Sequence, residues 1–321
     1  MEIRAYEITA ERHLKPLNPE LIDDSWDADK VCRWIDVSNI ISEEIENLLD
    51  RLNIDVPSRV REAIRHAQER PLVIPFGKVL FVSMPVFVRA GVSAYLSTLC
   101  AATTIITIQH SPEPLLEEVA ERCQSDRHLP EANPVAVLCH VMDAGLKRIV
   151  PLLLELRANI ASFTEDLSLK SEPDTAQEFL ELKNRINTIE MISEDQTYCL
   201  SEIAEHQSDT LKLENVYKLI EALRSDLQMG FATIGRMKDR VRDLYQHHLQ
   251  ATEETTNKRL KVLTILSAIY LPATLIAGIY GMNFEHRPIV GIENGYLIVM
   301  LIMAVVVVGQ LWYFYLRGWF K

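Results

Sequence analysis

Three rhythms of apolar residues follow one another along this chain, and each predicts a different kind of element. Up to about residue 130 the apolar positions come in short β-branched runs. These are Leu72–Phe76, Val79–Val88, Ala94–Leu99 and Thr103–Gln109, broken by Pro71, Pro75–Gly77 and Gly91. Runs of this length bounded by turn residues predict strands. Ser42–Leu52 and Ser58–Glu69 have helical spacing, each with a serine cap at its start. Ser111-Pro112 is expected to open a further helix, with Ser111 as N-cap and Pro112 at its first position. The reading for this part is a mixed α/β domain.

The second rhythm starts after Pro134. From Val135 to Leu169 apolar residues recur at helical spacing, and Pro173 punctuates the run; no further proline occurs until Pro272. Two long helices fit, with a break near His206–Leu211. The second is expected to run from about Leu213 without interruption into the first apolar run described below, roughly 100 Å at 1.5 Å per residue. Leu213, Val216, Ile220, Leu223, Leu227, Gly230, Ile234, Met237, Val241 and Leu244 step by threes and fours. That 3.5-residue repeat predicts helices packed in a coiled-coil-like bundle. Replacing Leu227 and Ile234 with Asp is expected to bury charge in an apolar bundle and to disrupt the oligomer or its stalk. The register continues through His248, Ala251, Thr255, Lys258 and Val262, where it turns polar or small. Either the centre of the bundle opens to water there, or the coiled coil ends and the helix is simply solvated.

The third rhythm is continuous apolarity. Val262 to Phe284 and Asn294 to Leu316 contain no charged side chain, and only nine residues, Glu285 to Glu293, separate them. Each run is long enough to cross a hydrocarbon core of ~30 Å as a helix, so the pair reads as a transmembrane hairpin. Lys258, Arg259 and Lys261 precede it, and Arg317 and Lys321 follow it. Positive residues mark cytoplasmic ends, so both termini are expected in the cytoplasm. The N-terminus, Met-Glu-Ile-Arg, has no apolar h-region, so no cleavable signal peptide is expected and the first span must direct insertion. The expected organisation is residues 1–133, a cytoplasmic α/β domain; 134–258, long helices and a stalk; 259–283, the first transmembrane helix; 284–295, an external loop; 296–316, the second transmembrane helix; and 317–321, a basic tail. The fold class is thus an α+β cytoplasmic domain, a long α-helical stalk and two C-terminal transmembrane helices.

Composition narrows the function. Lys and Arg number 33 against 45 Asp and Glu, a net charge of −12, which argues against a nucleic-acid partner and suits cationic ligands. The five cysteines (Cys32, Cys100, Cys123, Cys139, Cys199) form no C-x-x-C pair and read as reduced, buried thiols. His247 and His248 are adjacent, so they diverge on a helix and do not chelate. Asp23, Asp24, Asp27 and Asp29 lack the glycine and terminal glutamate of an EF-hand loop and read as a solvated acidic loop. No G-x-x-x-x-G-K-[ST] phosphate loop occurs, and no nucleophile–base pattern rises above background, so an enzyme is not expected.

Along the first span one face passes through Asn257, Leu260, Leu263, Ser267, Leu271, Thr274 and Gly278, in steps of three and four. It mixes polar or small residues with leucines, whereas Val262, Ile265, Leu266, Ile269, Leu275, Ile276 and Ile279 elsewhere on the helix are all bulky. Several copies about an axis could line a pore with this face; small and polar residues are equally a common packing surface in membranes. Neither span contains Asp, Glu, Lys, Arg or His, which removes the usual proton-relay and gating-charge residues.

At the outer end of the first span stands Tyr280-Gly281-Met282-Asn283. With its flanks, from Lys261 through Leu271-Pro272 to Phe284, it resembles the CorA family of divalent-cation channels, whose signature is Gly-Met-Asn at this position, two C-terminal spans and a basic tail. The similarity is strong from Asn257 to Asn283 and architectural elsewhere; Thr103–Pro112 is also similar to the end of that family's N-terminal sheet. The resemblance implies a funnel-shaped homopentamer whose first spans line the pore. It implies Gly281, Met282 and Asn283 as the ion filter, with Asn283 amide oxygens holding hydrated Mg²⁺, which dehydrates reluctantly. Gly281 would let the backbone leave helical geometry. Leu260 and Leu263 resemble a hydrophobic constriction, Leu271, Thr274 and Gly278 pore-lining positions, and Asn257 a polar ring at the cytoplasmic entrance. The family's gating by intracellular metal points to acidic positions, for which Glu221 and Asp226 are candidates; a solvated face is the other reading of both.

The external loop departs from the family. Where Mg²⁺-selective members often continue Met-Pro-Glu-Leu, this chain reads Glu285-His286-Arg287-Pro288-Ile289-Val290. Arg287 opposes cation accumulation at the mouth, and Glu285 and Glu293 favour it. The leading expectation is a membrane channel for Mg²⁺, with Co²⁺ or Ni²⁺ as further cargo, driven by the membrane potential. The alternatives are a zinc transporter of the ZntB type, coupled to protons, and a non-conducting membrane-anchored metal sensor.

Overall fold

The computed structural model describes residues 2–19, 32–39, 42–52, 54–66, 68–89, 92–110, 114–125, 129–169, 175–206, 216–282 and 294–319. The chain divides into two compact units, residues 1–242 and 243–321. The first is built on a sheet of β1 (Glu2–Ile8), β2 (Leu14–Leu17), β3 (Arg33–Ser38), β4 (Leu72–Phe76), β5 (Val79–Arg89), β6 (Val92–Ala101) and β7 (Thr104–Ile108), in the order β2-β1-β3-β7-β6-β5-β4. Neighbours are antiparallel except β3 and β7, which run parallel with Ile35 opposite Ile106. The four strands expected from residues 72 to 109 are all present; β1, β2 and β3 were not anticipated.

Side-chain parity splits the sheet into two cores. Trp34, Leu80, Val82, Met84, Val86 and Ile105 join a cluster with α3 (Pro114–Ser125) and α4 (Pro134–Lys147). Ile35, Val37, Phe81, Leu99, Ile106 and Ile108 join another with α1 (Ser42–Arg51) and α2 (Ser58–Arg65). Because both faces are covered, the central strands are apolar runs rather than alternations. Among the buried polar residues of the sheet Asp36 carries a carboxyl, which accepts from Thr107 Oγ1 at 2.7 Å and Gln109 Nε2 at 3.0 Å. Burial raises its carboxyl above the usual carboxylate range, and those two hydrogen bonds oppose the rise.

The helix starts follow capping chemistry, with one correction. Asn133 accepts from the Ala136 backbone N–H at 2.7 Å and Pro134 occupies the first turn, which starts α4. For α2 the N-cap is Pro57, without a side-chain cap bond, so Ser58 lies inside the helix and is not its cap. Ser111 and Pro112 lie outside the described residues. The helical stretch from Val135 to Leu169 is two helices, α4 and α5 (Ile149–Leu169), parted at Arg148. Pro151, in the first turn of α5, has no N–H to bond back to Lys147, which accounts for the interruption. Cys100, Cys123, Cys139 and Cys199 are buried free thiols, and burial pushes Cys139 and Cys199 up to about 12.

Beyond these come α6 (Thr175–Glu205) and α7 (Tyr217–Gly281), the latter 65 residues long without a break. The predicted seam is real but its partner differs from the expectation. Val216, Ile220, Leu223 and Leu227 are buried in the same core as Leu146 of α4 and Cys199, Leu200 and Ile203 of α6. Further along, Gly230 approaches Ile149 of α5, and Lys238 Nζ meets Glu190 Oε2 of α6 at 2.7 Å. The seam therefore closes the chain's own core and is not reserved for contacts between copies. Burial ends with Val241; Leu244 and His248 are half-buried, and every residue from Leu249 to Leu260 is exposed. The change to polar seam residues coincides with the loss of intrachain partners.

Leu227 is 3 % exposed and Met229, two residues on, is 64 % exposed. Leu227→Ala is expected to cost about 2–5 kcal/mol and to lower the melting temperature of the full-length protein in detergent. Met229→Ala is expected to leave it within a degree or so. Equal melting of the two variants would contradict an intramolecular seam.

Candidate permeation face

The second unit contains the last part of α7 and α8 (Gly295–Leu316), the two helices long and apolar enough to cross a membrane. Their burial is one-sided. On α7 the half-buried positions are Lys261, Ile265, Ala268, Ile269, Pro272, Ala273, Ile276 and Tyr280; on α8 the covered positions include Gly295, Val299, Met303, Val306, Gln310 and Phe314. Both sets step by threes and fours, so each helix turns one stripe toward the other. At the ends that the connector joins, Tyr280 and Gly281 share a cavity of about 620 Å³ with Tyr296, Val299 and Met303.

The seven positions singled out from sequence lie on the other side of α7. Asn257, Leu260, Leu263, Ser267, Leu271, Thr274 and Gly278 are all exposed, Leu263 to 60 % and Leu271 to 69 %. At about 100° per residue they fall within an arc of roughly 120°, centred opposite the stripe that meets α8. The polar and small face is therefore not the surface on which this chain packs its own second span. That removes one of the two readings for contacts within the chain.

Its chemistry is neutral. Thr274 Oγ1 donates to the Tyr270 carbonyl at 2.7 Å. With its proton committed to the backbone, the hydroxyl presents lone pairs outward. No Asp, Glu, Lys, Arg or His occurs from Val262 to Met282, so the face supplies hydroxyl oxygen and apolar surface but no fixed charge. Gly281 is the last residue of α7, followed by a Met282 N–H to Ile279 carbonyl bond of 3.3 Å. It is not among the residues with positive φ. The helix ends there as expected, but without the left-handed backbone that only glycine tolerates; a Cβ at Gly281 or Gly278 would also meet nothing within 4 Å. Among the described residues nothing demands glycine at either place.

Asn283, Glu285, Arg287 and Glu293 lie outside the described residues, as do Asp23, Asp24, Asp27 and Asp29. Met282 is exposed. Glu221 and Asp226 are exposed on α7 in the first unit, where Asp226 borders a cleft of about 420 Å³ lined by Leu146, Lys147, Ile149 and Leu153. The structure does not bring those two acids into a cage: among the described residues no three His, Cys, Asp or Glu side chains converge to hold a metal. At the far end of α8, Gly318 takes φ +70, and the Trp319 N–H bonds the Phe314 carbonyl at 3.0 Å. This glycine cap folds the Trp319 ring to 5.1 Å from Phe314, an amphipathic anchor of the kind that sits at membrane interfaces. Sequence reasoning missed this turn, although Gly318 just past an apolar helix signalled it. It also stopped the exposed face at Asn257, whereas the same stepping continues back through Thr256, Glu253 and Leu249.

A family model described as CorA-like Mg²⁺ transporter protein matches residues 29–317. The chain belongs to the CorA family. Among its relatives, the cobalt/magnesium transport protein CorA of Thermotoga maritima is 24 % identical, over 99 % of this chain and 92 % of that protein. The magnesium transport protein CorA of Pasteurella multocida is 36 % identical over 25 % of each chain. In fold the chain is similar to the complete CorA structure from Methanocaldococcus jannaschii, with a TM-score of 0.78 at 17 % identity and 99 % coverage of both chains. It is also similar to the full-length CmaX protein, with a TM-score of 0.77 at 16 % identity, covering 99 % of this chain and 97 % of that one. The cytoplasmic domain of ZntB from Vibrio parahaemolyticus aligns with 78 % of the chain, and 98 % of its own, at a TM-score of 0.62 and 12 % identity. An α/β domain, a long helix and a further C-terminal helix are thus the CorA fold, as the sequence pattern led one to expect.

Single cysteines distinguish the two sides of α7. In membranes, Ser267→Cys and Thr274→Cys are expected to react with a charged, water-soluble thiosulfonate reagent at least tenfold faster than Ile269→Cys or Ile276→Cys. Similar rates at all four positions would mean that neither side of α7 faces water.

Proposed function

We propose that copies of this chain surround an axis lined by the Asn257–Gly278 face of α7, and that divalent cations, Mg²⁺ foremost, pass along it. The observation that carries this reading is the position of that face: it lies exposed, opposite the stripe covered by α8, on a helix that has an acceptor hydroxyl and no fixed charge within the membrane. The relatives named as magnesium and cobalt/magnesium transport proteins support the cargo, with Co²⁺ next to Mg²⁺ and Ni²⁺ chemically close to both. Five copies, as the CorA resemblance implies, would bring five Asn283 amides together at the external mouth. The basic residues Lys258, Arg259, Lys261, Arg317 and Lys321 put both termini on the cytoplasmic side of the cell membrane.

The energetics need no ATP. A divalent ion moving inward gains about 4.6 kcal/mol per 100 mV, twice the ~2.3 of a single charge. Amide and hydroxyl oxygens can hydrogen-bond the ion's hydration shell without stripping it, which suits a cation that dehydrates reluctantly. Leu260 and Leu263, exposed and facing the axis, form a constriction that closes by dewetting. In this reading cytoplasmic metal favours the closed state through carboxylates such as Glu221 and Asp226. The loop Arg287-Pro288-Ile289, which lacks the family's usual acidic residue, favours a second reading in which Zn²⁺ is the cargo and protons are coupled to it.

Flux into liposomes containing the full-length protein tests these readings, with Mg²⁺, Zn²⁺, Co²⁺ and Ni²⁺ compared with and without a proton gradient. Mg²⁺ flux that follows the potential alone supports the first reading; proton-dependent Zn²⁺ flux supports the second; no flux of any of the four leaves a sensor. Asn283→Ala is expected to reduce flux at least tenfold while assembly persists. Leu263→Ala is expected to leak several-fold more in high internal Mg²⁺, because a wider, less apolar constriction wets more readily. Normal flux in a correctly assembled Asn283→Ala protein would remove Asn283 from the ion path.

A further inference from the structure

We infer that Glu253 is a further ion-path residue, forming a ring of carboxylates on the cytoplasmic side of the leucine constriction that draws hydrated divalent cations through it. The inference rests on the permeation reading above and assigns to it a charge that the membrane segment itself lacks.

The argument is one of register on an uninterrupted helix. At about 100° per residue, Glu253 points in the same direction as Leu271, eighteen residues on, and within about 20° of Leu260 and Gly278. It stands seven residues before Leu260, or roughly 10 Å along the axis. The cations nearby are turned elsewhere. Arg259, Lys258 and Lys261 lie about 120°, 140° and 80° from Glu253 around the helix. Lys261 is half-buried on the stripe that α8 covers. Arg242, eleven residues earlier, is the exception, within about 20° of Glu253 in register, and it is engaged with Asp239 at 2.9 Å.

Glu253 and its neighbour Glu254 are both exposed, in a stretch where none of the described residues covers any side of the helix, yet their surroundings differ. Glu254 precedes Lys258 by four residues, the spacing and order at which opposite charges stabilise a helix. The residues three and four positions from Glu253 are Leu249, Gln250, Thr256 and Asn257, none of which is charged. Glu253 has no ion-pair partner among the described residues. One glutamate is thus set to be neutralised on the outer side, and the other presents an uncompensated charge in line with the permeation face. Copies about an axis would multiply that charge, and a narrow channel mouth lined by one sign of charge raises the local concentration of counter-ions. Beside it, the Asn257 amide and the leucines offer a cation no charge.

The two glutamates make an internally controlled test, since each change to Gln removes the same charge. In liposomes carrying the full-length protein, Glu253→Gln is expected to reduce Mg²⁺ flux roughly tenfold at about 0.02 M salt. The deficit should shrink to about twofold at 0.5 M, where exposed charges are screened within a few ångströms. Glu254→Gln should match the parent protein at both salt concentrations, and Glu253→Asp, which keeps the charge, should recover most of the flux. Equal loss in the two Gln variants would overturn the inference, because a diffuse surface charge would then suffice. No loss in either, with a conducting parent protein, would also overturn it while leaving the permeation reading intact. A parent protein that conducts none of the four metals would end both.

Discussion

A helix that crosses a membrane satisfies its own backbone, so its side chains alone decide what each of its sides can face. In α7 they decide it two ways. Ile265, Ala268, Ile269 and Ile276 lie against α8, and the remainder of the helix, exposed in a single chain, divides between apolar surface and the face of Ser267, Thr274 and Gly278. The apolar part is at home in lipid. The polar and small face gains nothing there, and α8 does not cover it. This mismatch between one helix and one chain is the constraint on which the proposed assembly, water-filled axis and cation path all rest.

The same helix obeys a different rule in the first unit. There its seam is apolar, and α4, α5 and α6 cover it down to Val241. The division of labour along α7 explains why its heptad pattern ends before the membrane. Upstream, burial against the chain's own helices sets the 3.5-residue repeat. From Leu249 to Leu260 every side chain is exposed, so polar residues such as Glu253 and Asn257 carry no burial penalty.

Much of this was legible from residues alone, and the exceptions have physical causes. The strands from Leu72 to Ile108 announced themselves because both faces of the sheet are covered, leaving runs of β-branched residues. β1 and β3 did not, since Glu2, Arg4 and Glu7 break up the first and the third buries a carboxylate, Asp36, that only its hydrogen bonds to Thr107 and Gln109 make tolerable. The seam was visible as a repeat, but a repeat states that a helix packs and not against what; Leu227 meets its own chain. Pro57, with ψ 148, stands at the cap position ahead of Ser58 and makes no side-chain cap bond. For the candidate site, the register of Asn257 to Gly278 could be read directly, while its orientation away from α8 required the packed hairpin, and the commitment of the Thr274 proton to its own backbone required the atoms.

The central claim is that the Ser267–Thr274 face of α7 points toward an axis shared by several copies and that α8 lies outside it. Distances between identical spin labels on different copies, measured by pulsed electron resonance in lipid nanodiscs, test this without reference to transport. Thr274→Cys places the label on the proposed inner face, and Val305→Cys places it on the exposed side of α8. The account predicts clearly shorter distances at 274 than at 305, with a ratio between near and far neighbours set by a closed ring. Distances at 274 equal to or longer than those at 305 would contradict it.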